Sequence, residues 1–338
     1  MDNCHIWLNN NKILSFCIAI LHLFNYKRFD SFTKGANTMK YPETELVSQG
    51  HLACQGCGGA LAMRLTLKVM GEKTVIVVPA CCWSVINGPF PYSAVKIPFM
   101  HTAFETAAIA ATGVRASLDM QGKTDIQVLA WAGDGGTFDI GFQALSGAAE
   151  RNENIIYICY DNEAYMNTGI QRSSATPKLA WTTTTPSQTP KAERKKNIIE
   201  IMAAHKIPYA ATANVAFPDD LMRKVRTAMG IKGMRFIHIL SPCPPGWKIS
   251  SEMSIKIARL ATESKYFPLF EVFDGEEYVI NYEPKGIPVK EYMKPQARFS
   301  HIKDDEYQLY QEFVDTEWEK LKLKATMNEL LKKRRISS

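Results

Sequence analysis

Three continuous apolar runs constrain the fold more than any other feature. They are "KTVIVVPA" (residues 73–80), "DIQVLAWAGDGG" (125–136) and "NIIYICYDNEAY" (154–165). Each is short, unbroken and closed by turn residues, the mark of a strand buried on both faces. "IPYAATANV" (207–215) and "GMRFIHILSPC" (233–243) read as further strands. Helical segments lie between them. Leu61, Leu65 and Val69 recur every four residues within 60–70, "AFETAAIAATGVRASLDM" is Ala-rich, and "FDIGFQALSGAAERN" follows the second run. Strand and helix alternate, so the expected class is α/β, a mostly parallel sheet with helices on both faces. "SSATPKLAWTTTTPSQTPKAERK" (173–195) is Thr-rich and Pro-punctuated, and reads as a long loop on the functional side of the sheet.

A chain of 338 residues has room for one large domain or two ordinary ones, and 46% apolar residues suit a packed core. The net charge of +6 is mild and does not point to nucleic acid. The basic end "EKLKLKATMNELLKKRRISS" reads as a solvated helix end, with a docking surface for an acidic partner as the alternative. The apolar run "ILSFCIAILHLF" (13–24) is too short to span a bilayer. Lys12 is the basic residue before it and no small-residue cleavage site follows cleanly, so it is a poor export signal. "MKYPETELVSQGH", from Met39, reads like the beginning of a soluble domain. Residues 1–38 are therefore taken as an over-long start or a poorly ordered leader. Residues 39–300 are taken as the α/β domain and 301–338 as a C-terminal helical extension.

In such a sheet, ligands sit beyond the carboxyl ends of the strands. Two of these ends are chemically unusual. In "WAGDGGTFDIG", Gly133, Gly135 and Gly136 allow close backbone approach, and a helix start just beyond favours a phosphate. Asp134 supplies a hard anionic oxygen suited to Mg2+. In "YDNEAYMNTG", Asn162 offers a carbonyl oxygen. About one helix plus one strand separates Asp134 from Asn162, which sets both at adjacent strand ends. Gly-Asp-Gly alone is an ordinary turn, and Asn162 alone an ordinary loop cap. The pair at this spacing points to a magnesium-diphosphate site, because Mg2+ takes few protein ligands plus substrate phosphates.

The turn "GHLACQGCGGA" carries Cys54 and Cys57. A thioredoxin-like pair calls for a strand before it and a helix directly after, whereas this Gly-rich segment follows coil. A structural zinc site calls for a second paired motif, and there is no second CxxC. "PACCWSV", with Cys81 and Cys82, and "SPCPPGW", with Cys243, each follow an expected buried strand. Cys54, Cys57, one of Cys81 and Cys82, and Cys243 supply the usual thiolate complement of a 4Fe–4S cluster. Cys159 lies inside an apolar strand and reads as core, while Cys4 and Cys17 belong to the leader. Thiolate clusters need a reducing compartment, which points to the cytoplasm.

The two strand ends resemble the thiamine diphosphate motif. The fuller string "DNEAYMNTGIQRSSATP" resembles the beta subunit of pyruvate:ferredoxin oxidoreductase (pyruvate synthase) and its 2-oxoacid relatives. The resemblance runs from about residue 42 to about residue 247. It implies a thiamine diphosphate-binding fold in which Asp134 and Asn162 bind Mg2+ through side chains and Ala164 through its backbone carbonyl. It adds Gly133, Gly135, Gly136 and Thr168 to the cofactor-binding set. Asn167 falls where the family has a catalytic polar contact to thiazolium and substrate. It also implies one 4Fe–4S cluster on Cys54, Cys57, Cys82 and Cys243.

The activity so implied is oxidative decarboxylation of pyruvate with CoA to acetyl-CoA and CO2, reversible, with electrons leaving through the cluster to ferredoxin. An alpha subunit would supply the aminopyrimidine Glu. Glu105, the tempting local candidate, begins a helix, where an acidic residue is ordinary macrodipole chemistry. Further clusters would lie on gamma- and delta-type subunits. Neither nucleic acid nor membrane is implied as a partner. The rival readings are a cluster-free thiamine decarboxylase or synthase component, a non-catalytic electron-transfer module, and a 2-oxoglutarate or branched-chain 2-oxoacid enzyme.

Overall fold

The structure is a computed structural model that describes residues 42–337. The apolar run at 13–24, Cys4, Cys17 and the leader boundary at 38 lie outside the described residues. One sheet has eight strands: β1 (Thr74–Pro79), β2 (Phe99–Thr102), β3 (Gln127–Gly133), β4 (Ile156–Asp161), β5 (Tyr209–Asn214), β6 (Arg235–Leu240), β7 (Phe270–Phe273) and β8 (Glu277–Ile280). Their order is β2-β1-β3-β4-β6-β5-β7-β8. From β2 to β5 every pairing is parallel, and β7 and β8 join antiparallel. The expected class therefore holds, and the three runs that defined it are β1, β3 and β4.

Continuous burial explains the central strands. β4, β5 and β6 are buried at every position. Tyr157 stacks on Phe236 with ring centroids 5.7 Å apart, and Trp131 stacks on Tyr160 at 5.6 Å. Cys159 is fully buried in β4, as expected of a core residue. The helices are α1 (Gly58–Met70), α2 (Cys82–Ile86), α3 (Ala107–Met120), α4 (Phe142–Glu150), α5 (Ile198–Ala204), α6 (Pro218–Gly230), α7 (Pro244–Trp247), α8 (Ser254–Glu263), α9 (Val289–Met293) and α10 (Asp304–Ser337). Adjacent strands β1 and β3 send their chains in opposite directions, toward β2 and β4 respectively. That is a topological switch point, and a crevice opens at its carboxyl end.

Several local readings are corrected. The deep face of α1 is Ala62, Met63, Thr66, Leu67 and Met70, whereas Leu61 and Val69 are only half-buried. The helix expected from the recurrence of Leu61, Leu65 and Val69 is present, with Leu65 buried. α1 also starts directly at the CxxC, with Cys57 as its N-cap. Glu105 lies just before α3, whose N-cap is Thr106, so it does not begin the helix. The β7–β8 hairpin escaped notice although its turn has a readable signal. Asp274 and Gly275 both take positive φ, 51° and 67°, the geometry that Asp-Gly favours in tight hairpins. The long loop is as expected: residues 172–197 hold neither helix nor strand. The chain ends in α10, whose Trp318 and Leu321 pack into the same core as Tyr278 of β8 and cover the antiparallel edge.

Two glycines make opposite demands. A Cβ on Gly58 would stand 2.6 Å from Pro242 N and 2.8 Å from Ser241 C, so backbone would have to move. A Cβ on Gly113, inside α3, meets nothing within 4 Å. Gly58→Ala is expected to destabilise by about 2 kcal/mol or more through this overlap. Gly113→Ala is expected to stabilise by about 0.5–1 kcal/mol, because alanine loses less backbone entropy in a helix. Denaturant unfolding of both variants beside the parent checks the pair. A neutral Gly58→Ala would show that the α1–β6 contact is looser than described.

Candidate functional site

The crevice lies where β1, β3 and β4 end, with a cavity of about 160 Å³ bordered by Cys82, Phe104, Asp134, Asn162, Met166 and Asn167 among others. Asp134 follows β3 and is 1% exposed. Ser173 Oγ, from the long loop, donates to its Oδ2 at 2.6 Å. Burial pushes the Asp134 carboxyl well above the usual carboxylate range, and the neighbouring Asp161 pushes it further. An anion here needs a cation as its partner.

The three oxygens expected to bind Mg2+ do converge. The amide oxygen of Asn162 lies 2.9 Å from Asp134 Oδ1 and 2.9 Å from the Ala164 carbonyl oxygen. With Asp134 ionised, three acceptors thus face one another. Turning the amide over would let its NH2 donate to both neighbours. A divalent cation removes the same conflict without turning it. Octahedral Mg2+ with ligands at about 2.0–2.1 Å sets adjacent ligand oxygens about 2.9 Å apart. The donor set therefore fits the ion.

The turn after Asp134 is a wide one. Gly135–Ile140 forms a single π-type turn, with Gly141 N–H donating to the Gly136 carbonyl at 2.9 Å. Gly135 is required by contact: a Cβ there would stand 2.3 Å from the Tyr165 ring. The Tyr165 hydroxyl donates to Asp139 Oδ2 at 2.8 Å, and Ser174 N–H donates to the same oxygen at 3.0 Å. The long loop is thus latched to the turn after Asp134. Asn167 and Thr168 are exposed at the crevice rim. Glu105 is exposed and does not line the cavity.

The cysteines gather beside this crevice. Gly58 N–H donates to the Pro242 carbonyl at 2.9 Å, which fixes the CxxC turn against the segment leading to Cys243. Trp83 Nε1 donates to the Gly59 carbonyl at 3.1 Å, which fixes α1 against the segment carrying Cys82. Burial, then the proximity of Cys243, Cys81 and Cys57, raises the Cys82 thiol. Burial likewise pushes the Cys243 thiol up to about 12, with Cys57 and Cys54 adding to it. These groups share one patch. Among the described residues no three His, Cys, Asp or Glu are close enough to hold a single ion. A four-iron cluster binds each thiolate to a different iron and needs the wider spacing. Cys81 differs from Cys82. Its sulfur accepts from the Ser84 N–H in a capping arrangement, and Ser84 Oγ accepts from Cys81 N–H.

One group of residues was not foreseen. Asp161, Glu163, Lys195, His238 and Arg298 form a buried charged network behind the crevice. Lys195 Nζ lies 2.5 Å from Asp161 and 2.8 Å from Glu163, and His238 Nε2 lies 2.7 Å from Asp161. Burial alone would raise the Asp161 carboxyl, but Lys195 and His238 together hold it at about 2. The readable signal was the pair of acids directly after a fully apolar strand. Arg298 carries no such signal.

Residues 83–239 match the family described as thiamine pyrophosphate enzyme, C-terminal TPP binding domain. The ketoisovalerate oxidoreductase subunit VorB of Pyrococcus furiosus is 49% identical over 83% of this chain and 94% of its own. The pyruvate synthase subunit PorB of Methanothermobacter thermautotrophicus is 47% identical over 84% of this chain and 100% of its own. Among solved structures, the 2-oxoglutarate:ferredoxin oxidoreductase from Magnetococcus marinus superposes with a TM-score of 0.52 at 23% identity, covering 65% of this chain and 82% of that one, a likeness of fold. On these relatives, the chain belongs to the thiamine diphosphate-binding beta subunits of the 2-oxoacid:ferredoxin oxidoreductases.

Proposed function

We propose that the chain is the beta subunit of a pyruvate synthase, interconverting pyruvate and CoA with acetyl-CoA and CO2 and passing electrons through its own 4Fe–4S cluster to ferredoxin. The observation that carries the reading is the Asn162 side-chain amide set 2.9 Å from both Asp134 Oδ1 and the Ala164 carbonyl oxygen, beside a patch of free cysteines. Asp134, Asn162 and Ala164 would hold Mg2+, and through it the diphosphate of thiamine diphosphate. When bound, thiamine diphosphate supplies the carbon nucleophile and electron sink for 2-oxoacid decarboxylation.

The protein's part is orientation and electrostatics. Gly135 and Gly136 let the turn after Asp134 pack closely under Tyr165 and Phe104, and Asn167, at the rim, would offer an amide to the reacting carbonyl. Cys54, Cys57, Cys82 and Cys243 would ligate the cluster. The capping hydrogen bonds of Cys81 support its role as a bystander. Among the described residues Asp134 is the one acidic side chain lining the cavity, which supports an alpha partner that brings the carboxylate for the aminopyrimidine. Gamma- and delta-type subunits would carry electrons onward. Thiolate clusters are oxygen-sensitive, which supports a reducing compartment such as the cytoplasm. Among the described residues no helix is long and apolar enough to cross a membrane.

Branched-chain 2-oxoacids are a second reading, favoured by the VorB relatives at 49% identity against 47% for PorB. Among the described residues no side chain lining the cavity is basic, which weighs against a substrate with a second carboxylate. Assay of the assembled complex on pyruvate, 2-oxoisovalerate and 2-oxoglutarate decides the substrate. The proposal expects the highest kcat/KM on pyruvate.

Asp134→Ala is expected to abolish thiamine diphosphate binding in the assembled complex while iron content stays near that of the parent. Unchanged cofactor affinity would refute the magnesium assignment.

The cysteines divide the labour. Cys243→Ser should leave thiamine diphosphate bound but strip or destabilise the cluster, read by electron paramagnetic resonance after reduction. Cys82→Ala should lower ferredoxin reduction by orders of magnitude while slow CO2 release persists, because decarboxylation does not need the cluster. Cys81→Ala should keep the cluster and most of the activity, since it removes packing and one weak sulfur hydrogen bond, together worth about 1–2 kcal/mol. Loss of the cluster in Cys81→Ala instead of Cys82→Ala would move the ligand by one residue. Retention in every variant would rule out a cluster on this chain.

A further inference from the structure

The 161–164 turn carries two of the three oxygens of the proposed magnesium site, and the residue between them is the unusual one. Glu163 has φ +68°, a left-handed backbone that side-chain-bearing residues rarely adopt. The kink reverses the chain, so that the Asn162 side chain before it meets the Ala164 carbonyl after it. Glu163 is 0% exposed and does not line the cavity. Its carboxylate is held instead from behind. Arg298 Nη2 donates to it at 2.6 Å, Lys195 Nζ at 2.8 Å and the Tyr266 hydroxyl at 3.1 Å. Its backbone is fixed as well. Its N–H donates to Asp161 Oδ1 at 2.8 Å, and its carbonyl accepts from Thr176 Oγ1 at 2.7 Å.

The anchor closes on itself. The Arg298 guanidinium lies 4.2 Å over the Trp247 ring, and Trp247 Nε1 donates to the Asn162 carbonyl at 2.8 Å. Trp247 ends the short helix that Cys243 caps. A charge buried this completely is a poor source of stability. It is well suited to fixing one conformation of a turn that three facing acceptors would otherwise open.

We propose that Glu163 is a positioning residue for the cation site: held by Arg298, Lys195 and Tyr266, it keeps the 161–164 turn left-handed, so that the Asn162 and Ala164 oxygens converge with Asp134. The inference rests on the magnesium–thiamine diphosphate reading above.

The test uses the assembled complex, stripped of cofactor with EDTA. Thiamine diphosphate rebinding is followed by tryptophan fluorescence and by retained cofactor as Mg2+ is titrated. In Glu163→Gln the half-saturating Mg2+ concentration should rise about 10- to 100-fold, the usual cost of losing an outer-shell partner of a metal ligand. Arg298→Lys keeps the charge but loses the planar fork and stack, and should raise it by a smaller factor. Lys224→Met breaks an unrelated buried pair, Lys224 with Asp220 at 2.6 Å. It should lower the unfolding temperature without moving the Mg2+ midpoint, which separates positioning from general destabilisation. A Glu163→Gln midpoint within twofold of the parent overturns the inference. Should that variant not fold, an unchanged midpoint in Arg298→Lys overturns it equally. A parent complex that binds no thiamine diphosphate, with or without Mg2+, overturns the cofactor reading itself and this inference with it.

Discussion

The Asn162 side-chain amide, set 2.9 Å from both the Asp134 carboxylate and the Ala164 carbonyl, is the contact on which the rest of this site depends. Left alone, the Asp134 carboxylate, the Asn162 amide and the Ala164 carbonyl repel one another, and any soft backbone would let them part. The chain prevents this with bonds placed outside the crevice. Ser173 ties Asp134, Trp247 ties the Asn162 carbonyl, and Glu163 is anchored by two cations. Preorganisation of this kind moves the cost of gathering like charges from the binding step to folding.

The sheet makes such scaffolding economical. Parallel strands in register bring their carboxyl ends to one level, so Gly133 of β3 lies opposite Tyr160 of β4, just short of Asp134 and Asn162. The loop after β1 arrives from the other side of the switch point, with Cys81 and Cys82. Each strand end contributes a short turn, and the long 172–197 loop is bonded across two of them. The glycines serve this crowding at specific places. Gly135 lies beneath the Tyr165 ring, and a Cβ on Gly246 would stand 2.3 Å from the Met166 thioether.

What the sequence made legible follows from where the free energy is local. β1, β3, β4, β5 and β6 were readable because strands buried on both faces are mostly apolar, even though β5 and β6 also bury Thr212, Asn214, Arg235 and His238. Asp134 and Asn162 were readable as neighbours because about one helix plus one strand separates them, which sets them at the ends of the paired strands β3 and β4. Glu163 and Arg298 were not. Their partnership spans distant parts of the chain, and an isolated acid or base in sequence looks like any solvated charge. β2 and β8 were missed for a related reason. Edge strands are short and half-exposed, so their composition is ambiguous. The Asp-Gly turn between β7 and β8 was the clue with a mechanism behind it.

The two turns of the site are mechanically one body. Met166, from the loop after β4, packs where Gly246 has no side chain, and Trp247 donates to Asn162. Cys243 caps the helix that holds both Gly246 and Trp247. On the other side, Asn162 Nδ2 faces the Cys82 sulfur at 3.9 Å. Displacing the turn that gathers the oxygens would therefore drag the sulfurs with it. One-electron transfer depends steeply on separation, whereas binding tolerates small adjustments. A chain that fixes both turns through the same few residues sets the distance between its two proposed cofactors by its own packing. A partner subunit is then left to complete the crevice rather than to align it.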